Sequence, residues 1–395
     1  MHAVHQILAV TSMNLRGLPQ RIAPSLVVVT GIAGVVGVLL AVLALSQGLS
    51  RSLVTSGRAD RALLLHAEAN SEAASALTRD SVSRIIDSAG IARDARNEPI
   101  ASAEVPATLR LPRRSDGALG ILTVRGVGEK LPALRPEILI NEGRMPARGL
   151  NELIAGRAAR SGFAGLDIGQ HVVLGNADWT VVGSFESGGD AHESELLADA
   201  DTLLSAYQRA SFNAVTVKLL EPAAFDTLNR ALAADPALAV TAMRESDYYQ
   251  QRSQKFAKVL AIVARLVAAI MAIGAVFAAL NSLYSVVSAR TVEIATLRAI
   301  GFGGGAVMIS VMAEALLLAL VGACAGAALT WLLFDGHMVS TVGGGGVANV
   351  IFRLHIGGGL IAVGMLWACA IGLIGGLLPA IRAARLPIDT ALRAQ

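Results

Sequence analysis

Residues able to do chemistry concentrate in one stretch, 188–201, "GGDAHESELLADAD". Asp190, His192, Glu193, Glu195, Asp199 and Asp201 offer an imidazole and carboxylates, which are the donor types of a metal site. The spacing is wrong for one: a helical zinc site sets two histidines a turn apart, as in H-E-x-x-H, and this stretch has one. It therefore reads as an exposed acidic loop, with a metal site as the alternative. No Ser/His/Asp or Cys/His arrangement supplies a nucleophile. Cys324 and Cys369 both fall inside apolar runs and read as small buried residues, and no cysteine elsewhere could staple a domain. Lys130, Lys218, Lys255 and Lys258 are the lysines of the chain, and none follows a G-x-x-x-x-G. Without a phosphate-binding lysine the chain cannot hydrolyse ATP by itself.

A second charged group lies in residues 288–307, "SARTVEIATLRAIGFGGGAV", between two long apolar runs. At 100° per residue, Arg290, Glu293, Ile294, Leu297, Arg298 and Ile300 gather on one half of a helix, and Val292, Ala295 and Ala299 on the other. A helix lying in lipid headgroups separates apolar from basic residues. Here large apolar and charged residues share a face, which suits docking into a protein groove, while the small face suits packing beneath the neighbouring spans. Gly301 supplies the helix stop, and Gly303 to Gly305 let the chain turn back. An ordinary connecting loop is the plainer alternative.

The elements that carry these groups follow from composition. The chain of 395 residues is 54% hydrophobic and 16% charged, whereas a soluble protein carries about 25% charge. Residues 22–50, 266–289, 299–334 and 354–381 hold no charged side chain except Glu314. Each exceeds the ~20 residues needed to cross a ~30 Å hydrocarbon core. Arg16, Arg21, Arg290, Arg298, Arg382, Arg385 and Arg393 flank one side, and Arg353 alone lies in the short loop opposite. The asymmetry of basic flanks puts both termini and residues 288–304 in the cytoplasm and the long block 48–255 outside. The first run is longer than a signal-peptide core and lacks a small-x-small ending, so it is expected to be retained. The net charge of +3 is spread over two compartments and gives no reason to expect nucleic acid.

The expected fold is an α-helical membrane protein of four transmembrane helices, with a large α+β extracytoplasmic domain inserted between helices 1 and 2. Its layout is an amphipathic cytoplasmic segment along the inner membrane face (1–23), a first span (24–47) and the outer domain (48–255). A second span with a stalk (256–287), the charged helix (288–304), a third span (305–334), an outer loop (335–356), a fourth span (357–381) and a cytoplasmic tail (382–395) follow. In the outer block, "RALLLHA", "ILTVRGV", "NAVTVKL" and "LAVTAM" read as strands, and "QHVVLGNADWTVVGSFES" as a hairpin turning at Asn176–Ala177. "SEAASALTRDSVSRIIDSAG", "DADTLLSAYQRA" and "PAAFDTLNRALAAD" read as helices. Residues 137–210 are expected to form a separate lobe.

From Ser246, a plausible N-cap, helical signals run without Pro or Gly into the second span, which gives either a rigid stalk or a helix broken near Lys258. The paired glycines Gly322/Gly326 and Gly372/Gly376, with Gly31, Gly34 and Gly37, would allow close helix approach. Gly343 to Gly346 read as a flexible loop. Glu314 costs roughly 2–3 kcal/mol within a span and should be hydrogen-bonded inside the bundle or to a second copy. Arg265 lies near the other membrane face, too far in depth to pair with it.

"ARTVEIATLRAIGF", a following span holding Glu314 and "GACAG", and the tail "PAIRAARLPIDTALR" resemble the C-terminal permease module of the MacB/LolC/FtsX-like (type VII) ABC transporter permeases. "INEGRMP", "LNELIAG", "GQHVVL", "WTVVGSFES" and "ESDYYQQRS" are similar to the periplasmic core of that class, a Porter-like lobe with a Sabre-like insertion. The resemblance runs over nearly the whole chain, without a fused ATPase. It implies that residues 288–304 are a coupling helix seated on a separate cytoplasmic ATPase dimer, with Arg290, Glu293, Ile294, Leu297, Arg298 and Gly301 as contacts. Family members often carry a basic or polar residue where this chain has "FGGGA". ATP and magnesium would be bound by the partner and no cofactor by this chain. A second permease copy or paralogue, membrane lipids and a periplasmic adaptor are the further implied partners, in the bacterial inner membrane. The implied activity is transmission of ATP-driven motion to the periplasmic domain, acting on a lipidic, lipoprotein or envelope-associated substrate. An FtsX-like signalling adaptor controlling a cell-wall hydrolase is the alternative, and a membrane-bound enzyme lacks a catalytic constellation.

Overall fold

The computed structural model describes residues 2–16, 22–340 and 350–387. The glycines Gly343 to Gly346, Arg21, Arg393 and the last residues of the tail, all used in the sequence reading, lie outside them. In chain order the helices are α1 (His2–Arg16), α2 (Ile22–Ser56), α3 (Arg79–Ile86), α4 (Leu131–Leu134), α5 (Arg157–Gly162), α6 (Ala200–Ala206), α7 (Phe225–Ala233), α8 (Glu245–Ala289), α9 (Thr291–Ala299), α10 (Gly304–Phe334) and α11 (Gly358–Ala384). The strands are β1 (Arg61–His66), β2 (Ala101–Pro112), β3 (Leu119–Val127), β4 (Leu139–Gly143), β5 (Glu152–Gly156), β6 (His171–Leu174), β7 (Ala177–Glu186), β8 (Glu195–Asp199), β9 (Ala214–Lys218), β10 (Val240–Arg244), β11 (Met338–Ser340) and β12 (Ile351–Arg353). The chain divides into two units, Met1–Ser46 with Lys258–His337 and Leu354–Gln395, and Gln47–Ala257 with Met338–Arg353.

The first unit holds the apolar lengths of α2, α8, α10 and α11, each long and apolar enough to cross a membrane. Alternate layers of small residues let these helices meet backbone to backbone. A Cβ placed on Gly326 of α10 would lie 2.5 Å from the Ala33 carbonyl oxygen of α2, and one on Gly376 of α11 would lie 2.6 Å from the Ala315 Cβ of α10. Small residues at such crossings replace the hydrophobic driving force that lipid removes. The glycine pairs foreseen in the sequence thus sit at real crossings, whereas Gly31 faces open space. The exposed side of α8 in this unit carries Val259, Ile262, Leu266, Ile270, Ile273 and Phe277 at helical spacing, and its buried side carries Ala264, Ala268, Ala275 and Ala279. Between Val259 and Ala279 these large residues face outward and these alanines inward; nearer the end of the helix Leu283 and Val287 are buried.

α1 packs against α10 through Val10 and Asn14. The Asn14 amide donates to Glu314 Oε2 (2.9 Å) and to Ser310 Oγ (3.1 Å). Ser310 in turn donates to the Val10 carbonyl (3.3 Å). Glu314 is therefore satisfied inside this unit, and Arg265 is exposed on α8.

The second unit is built on a ten-stranded sheet, ordered β10-β1-β9-β2-β3-β8-β5-β7-β4, with β6 on β7. The pairs β3–β8 and β5–β7 are parallel and the others antiparallel. One apolar core gathers Leu64, Ile85, Val215, Val217 and Leu228 against the β1 half of the sheet. Another gathers Leu122, Val124, Leu153, Phe163, Trp179 and Leu203 against the β5 half. Residues 137–210 supply β4 to β8, which join the rest through the parallel β3–β8 ladder.

Local signals explain most of these elements. The hairpin expected at Asn176–Ala177 is β6–β7, turning one residue earlier at Gly175–Asn176, with Gly175 in the left-handed region at φ 59°. Where a longer helix over residues 71–90 was expected, Thr78 interrupts: its hydroxyl accepts from Ser81 N–H and starts α3. α8 begins one residue before the expected cap, at Glu245, and the Ser246 hydroxyl turns to Asp247 instead. The outer loop contributes the hairpin β11–β12 to this unit.

Candidate functional site

Two short charged segments carry the functional reading, one in each unit. In the first unit, α9 is a nine-residue helix stopped by Gly301 at φ 105°. That angle suits glycine and closes the helix as anticipated. Ile294 is 5% exposed and packs with Val287 of α8, Val307 and Val311 of α10, and Ala380 and Ala383 of α11. The Arg298 guanidinium donates to the Leu386 carbonyl beyond the end of α11. Arg290 Nε donates to Glu293 Oε2 at 2.8 Å, a pair with an exposed carboxylate.

This geometry corrects the sequence reading of α9. Ile294 and Ala295 are buried, and Leu297 and Arg298 partly so, while Val292, Glu293, Thr296, Ala299 and Ile300 are exposed. The open face is therefore turned by about 120° from the expected one, taking 100° per residue. The buried stripe cuts across the two halves of the wheel: Glu293 and Ile300 are open and Ala295 is buried as expected, whereas Ile294 is buried and Val292 and Ala299 are open. A large aliphatic chain gains more by entering the cluster of helix ends than by facing water, so Ile294 is an anchor and not an outward contact. Of the residues singled out, Glu293 remains exposed, Arg290 and Leu297 lie at the border, and Gly301 is the stop.

In the second unit, most of the stretch read as an exposed acidic loop is buried, although Gly188 and Gly189 are exposed and Asp199 and Asp201 are only partly covered. Asp190, His192, Glu193 and Glu195 all lie in the interior, and the turn Ala191–Ser194 leads directly into β8. Buried carboxylates need partners, and these have them. Arg125 on β3 grips Glu195 with two hydrogen bonds, from Nε (2.7 Å) and Nη2 (2.8 Å). Its Nη1 donates to Glu72 (2.7 Å) and Glu104 (2.9 Å). Burial alone would raise the Glu195 carboxyl, but Arg125 and the hydrogen bond from His192 outweigh it and hold the group well below the ordinary glutamate range. Glu72 is held down by Arg125 against the same burial effect. For Asp190, burial prevails over the opposing pull of His192, Ser187 and Arg135 and raises the carboxyl. Among the described residues, no group of three or more His, Cys, Asp or Glu has the arrangement of a metal site; these acids are engaged by arginines and backbone amides.

A neighbouring ionic cluster receives the start of α8. Glu245, its first residue, is fully buried, with Oε1 2.6 Å from Arg135 Nη2 and Oε2 3.5 Å from Arg61 Nη1. Arg61, itself 1% exposed on β1, also donates to both oxygens of Glu137. Tyr248 accepts from Arg252 at 2.8 Å and meets Tyr249 edge to face. The ionic clusters were not visible in the sequence, because their partners lie far apart along it: Arg125 and Glu195 are 70 residues from each other. The available signal was the arginines inside strand patterns, Arg61 beginning "RALLLHA" and Arg125 within "ILTVRGV". An arginine at an inward position of a buried strand demands a buried acid.

The loop between α10 and α11 enters the same unit. Ser194 Oγ accepts from Ile351 N–H (2.8 Å) and donates to the Ile351 carbonyl (3.0 Å). Ile351 joins the β5-side core, and Phe352 lies against Gly48.

Comparison with known proteins places these features. The model of the MacB-like periplasmic core domain matches residues 25–235, and that of the FtsX-like permease C-terminal domain matches residues 265–388. Among solved structures, the periplasmic region of MacB from Actinobacillus actinomycetemcomitans is similar at 13% identity and a TM-score of 0.37, over 49% of this chain and 92% of that one. The extracellular domain of the noncanonic ABC-type transporter YknZ from Gram-positive bacteria is similar at 14% identity and a TM-score of 0.36, over 46% of this chain and 99% of that one. A search of curated proteins gives no match. With a periplasmic core domain matched over more than half its length, and an FtsX-like permease module after it on apolar helices of membrane-spanning length, the chain belongs to the MacB/FtsX-type family of ABC transporter permeases.

Proposed function

We propose that this permease takes up ATP-driven motion from a separate cytoplasmic ATPase pair through α9 and passes it to its extracytoplasmic domain. The supporting observation is the two-sided character of α9. Its buried side is fastened to the ends of α8, α10 and α11 by the Ile294 cluster and by Arg298. Its other side presents Val292, Glu293, Thr296, Ala299 and Ile300, with Ile300 72% exposed. A helix fixed on one side to three long helices and open on the other is suited to receive a push and share it among them. ATP and its magnesium belong to the partner in this scheme, and the helix α8 carries the motion outward. Two permeases would work together, as a homodimer or with a paralogue. The substrate is lipidic, a lipoprotein or otherwise associated with the envelope, and is moved outside the membrane. The match to the MacB-like periplasmic core favours transport over control of a cell-wall hydrolase.

The test is Thr296→Trp, which places bulk on the open face without touching the anchored one. With the full chain and its co-purified ATPase in nanodiscs, stimulation of ATP hydrolysis is expected to fall at least about tenfold, equivalent to roughly 1.4 kcal/mol of lost coupling, with insertion unchanged. Undiminished stimulation would contradict the proposal. Co-purification of a cell-wall hydrolase with the outer domain, in place of a lipid or lipoprotein, would support the adaptor reading.

A further inference from the structure

The turn Ala191–Ser194 has four residues, and three segments that run on into different membrane helices meet on it. The Ala191 N–H donates to Ser56 Oγ at 2.8 Å, on the last residue of α2. His192 Nε2 faces the Tyr249 hydroxyl at 3.5 Å, one turn into α8. Ser194 exchanges two hydrogen bonds with Ile351 of β12, in the connection between α10 and α11. Glu195 accepts from His192 Nδ1 at 3.1 Å, so both ring nitrogens are engaged, Nε2 by the tyrosine hydroxyl. The imidazole thus bridges α8 to the Arg125 cluster.

The turn is also held tightly from within. Asp190 Oδ1 accepts from the N–H groups of His192 (2.9 Å) and Glu193 (3.3 Å). Its Oδ2 accepts from Ser187 Oγ (2.7 Å). Glu193 Oε1 accepts from the N–H groups of Ser187 (2.8 Å) and Gly189 (2.9 Å). Each residue of the turn is buried, Ser194 completely. Moving one contact while the others stay would leave a buried polar group unpaired, which is costlier than a shift of the turn as a body. Surface loops do not normally meet this condition, and the terminal contacts here come from outside the sheet.

We propose that Ala191–Ser194 is the junction that couples the three membrane-derived segments within the extracytoplasmic domain, with Ser56, His192 and Ser194 as its positioning residues. A displacement of any one segment is shared with the other two through this turn. The use made of this coupling rests on the transmission reading above, but the coupling is a property of this chain alone.

The experiment is hydrogen exchange, followed by mass spectrometry, on the full chain in nanodiscs with neither ATPase nor nucleotide. Ser194→Ala removes both bonds to Ile351. The expected result is several-fold faster exchange in residues 350–353 and also in 47–56 and 245–253, which the substitution does not touch. Ser56→Ala is expected to act in the reverse direction, speeding exchange in 350–353. An effect confined to the segment that lost its bond would overturn the proposal, because a purely local structural role moves nothing remote. If Ser194→Ala does not yield folded protein, Ser56→Ala and Tyr249→Phe, each removing one hydroxyl, carry the same comparison. Asp116→Ala, on an exposed turn, is the control expected to change none of these segments. Since no ATPase is present, failure here leaves the role of α9 standing, and failure of the Thr296→Trp assay leaves the junction standing.

Discussion

The helix α9 and the turn Ala191–Ser194 are both short, charged and set between longer elements, and the chain treats them in opposite ways. The ion pair of α9 reaches a surface through its acid: Glu293 is half exposed, and its arginine, mostly covered, is its neighbour one turn away. The charges around the turn are buried, and their partners come from β2, β3 and the segment before α3. A local ion pair on an open helix leaves a face free for another molecule. A buried network spends its hydrogen-bonding capacity internally and fixes the elements that enter it. Charge in a sequence therefore distinguishes a docking surface from a structural junction only once the partners' positions are known.

The contrast has measurable consequences. The largest effect is expected from Arg125→Leu, which strands three buried carboxylates, Glu72, Glu104 and Glu195. Removing one side of such a buried pairing costs about 3–5 kcal/mol, to be read from denaturant unfolding of the full chain with the buried Trp179 as reporter. A loss below about 1 kcal/mol would place this network in the same class as the α9 pair and erase the distinction.

A pH series comes next in size. Glu72, Glu137 and Glu195 are held below the ordinary glutamate value of 4.5 in the folded domain. Groups depressed in this way stabilise the fold above that pH, and the contribution is lost as pH falls through their folded values. Asp190, raised by burial from 3.8, acts in the opposite sense. The three depressed groups outnumber it, so stability of the outer domain should decline below pH 4.5. Arg125→Leu should flatten that decline by removing the main partner of Glu72 and Glu195; an unchanged slope would assign it to other carboxylates. The smallest effect is expected from Arg290→Ala. A pair whose carboxylate reaches solvent contributes about 0–1 kcal/mol, even with its arginine 11% exposed, so thermal unfolding of the variant should stay close to that of the parent.

The membrane helices were legible in the sequence because their signal is length and lack of charge, neither of which depends on distant partners. Strands β1, β3, β9 and β10 and the hairpin β6–β7 were legible for a similar reason, as short apolar or alternating runs closed by turns. β2 was missed, although it is the longest strand. Pro106 and Pro112 within it argue against a central strand, yet the β9 pairing ends at Glu104, and both prolines lie where only β3 is paired. β8 was hidden by its acidic flanks, since "ESELLADAD" looks solvated until Arg125 is set beside Glu195. On α9 the periodicity defined two faces but could not show which met protein. Ile294 decided that by entering a cluster formed by three other helices.

The most direct test of the account is the response of the junction to nucleotide in the assembled complex. With the full chain and its co-purified ATPase in nanodiscs, hydrogen exchange at residues 191–194, 47–56, 245–253 and 350–353 is compared with and without ATP and vanadate. Transmission from α9 to the junction predicts a concerted change at all four segments that disappears in Thr296→Trp. Protection of α9 by the ATPase with no nucleotide-dependent change at these segments would contradict it.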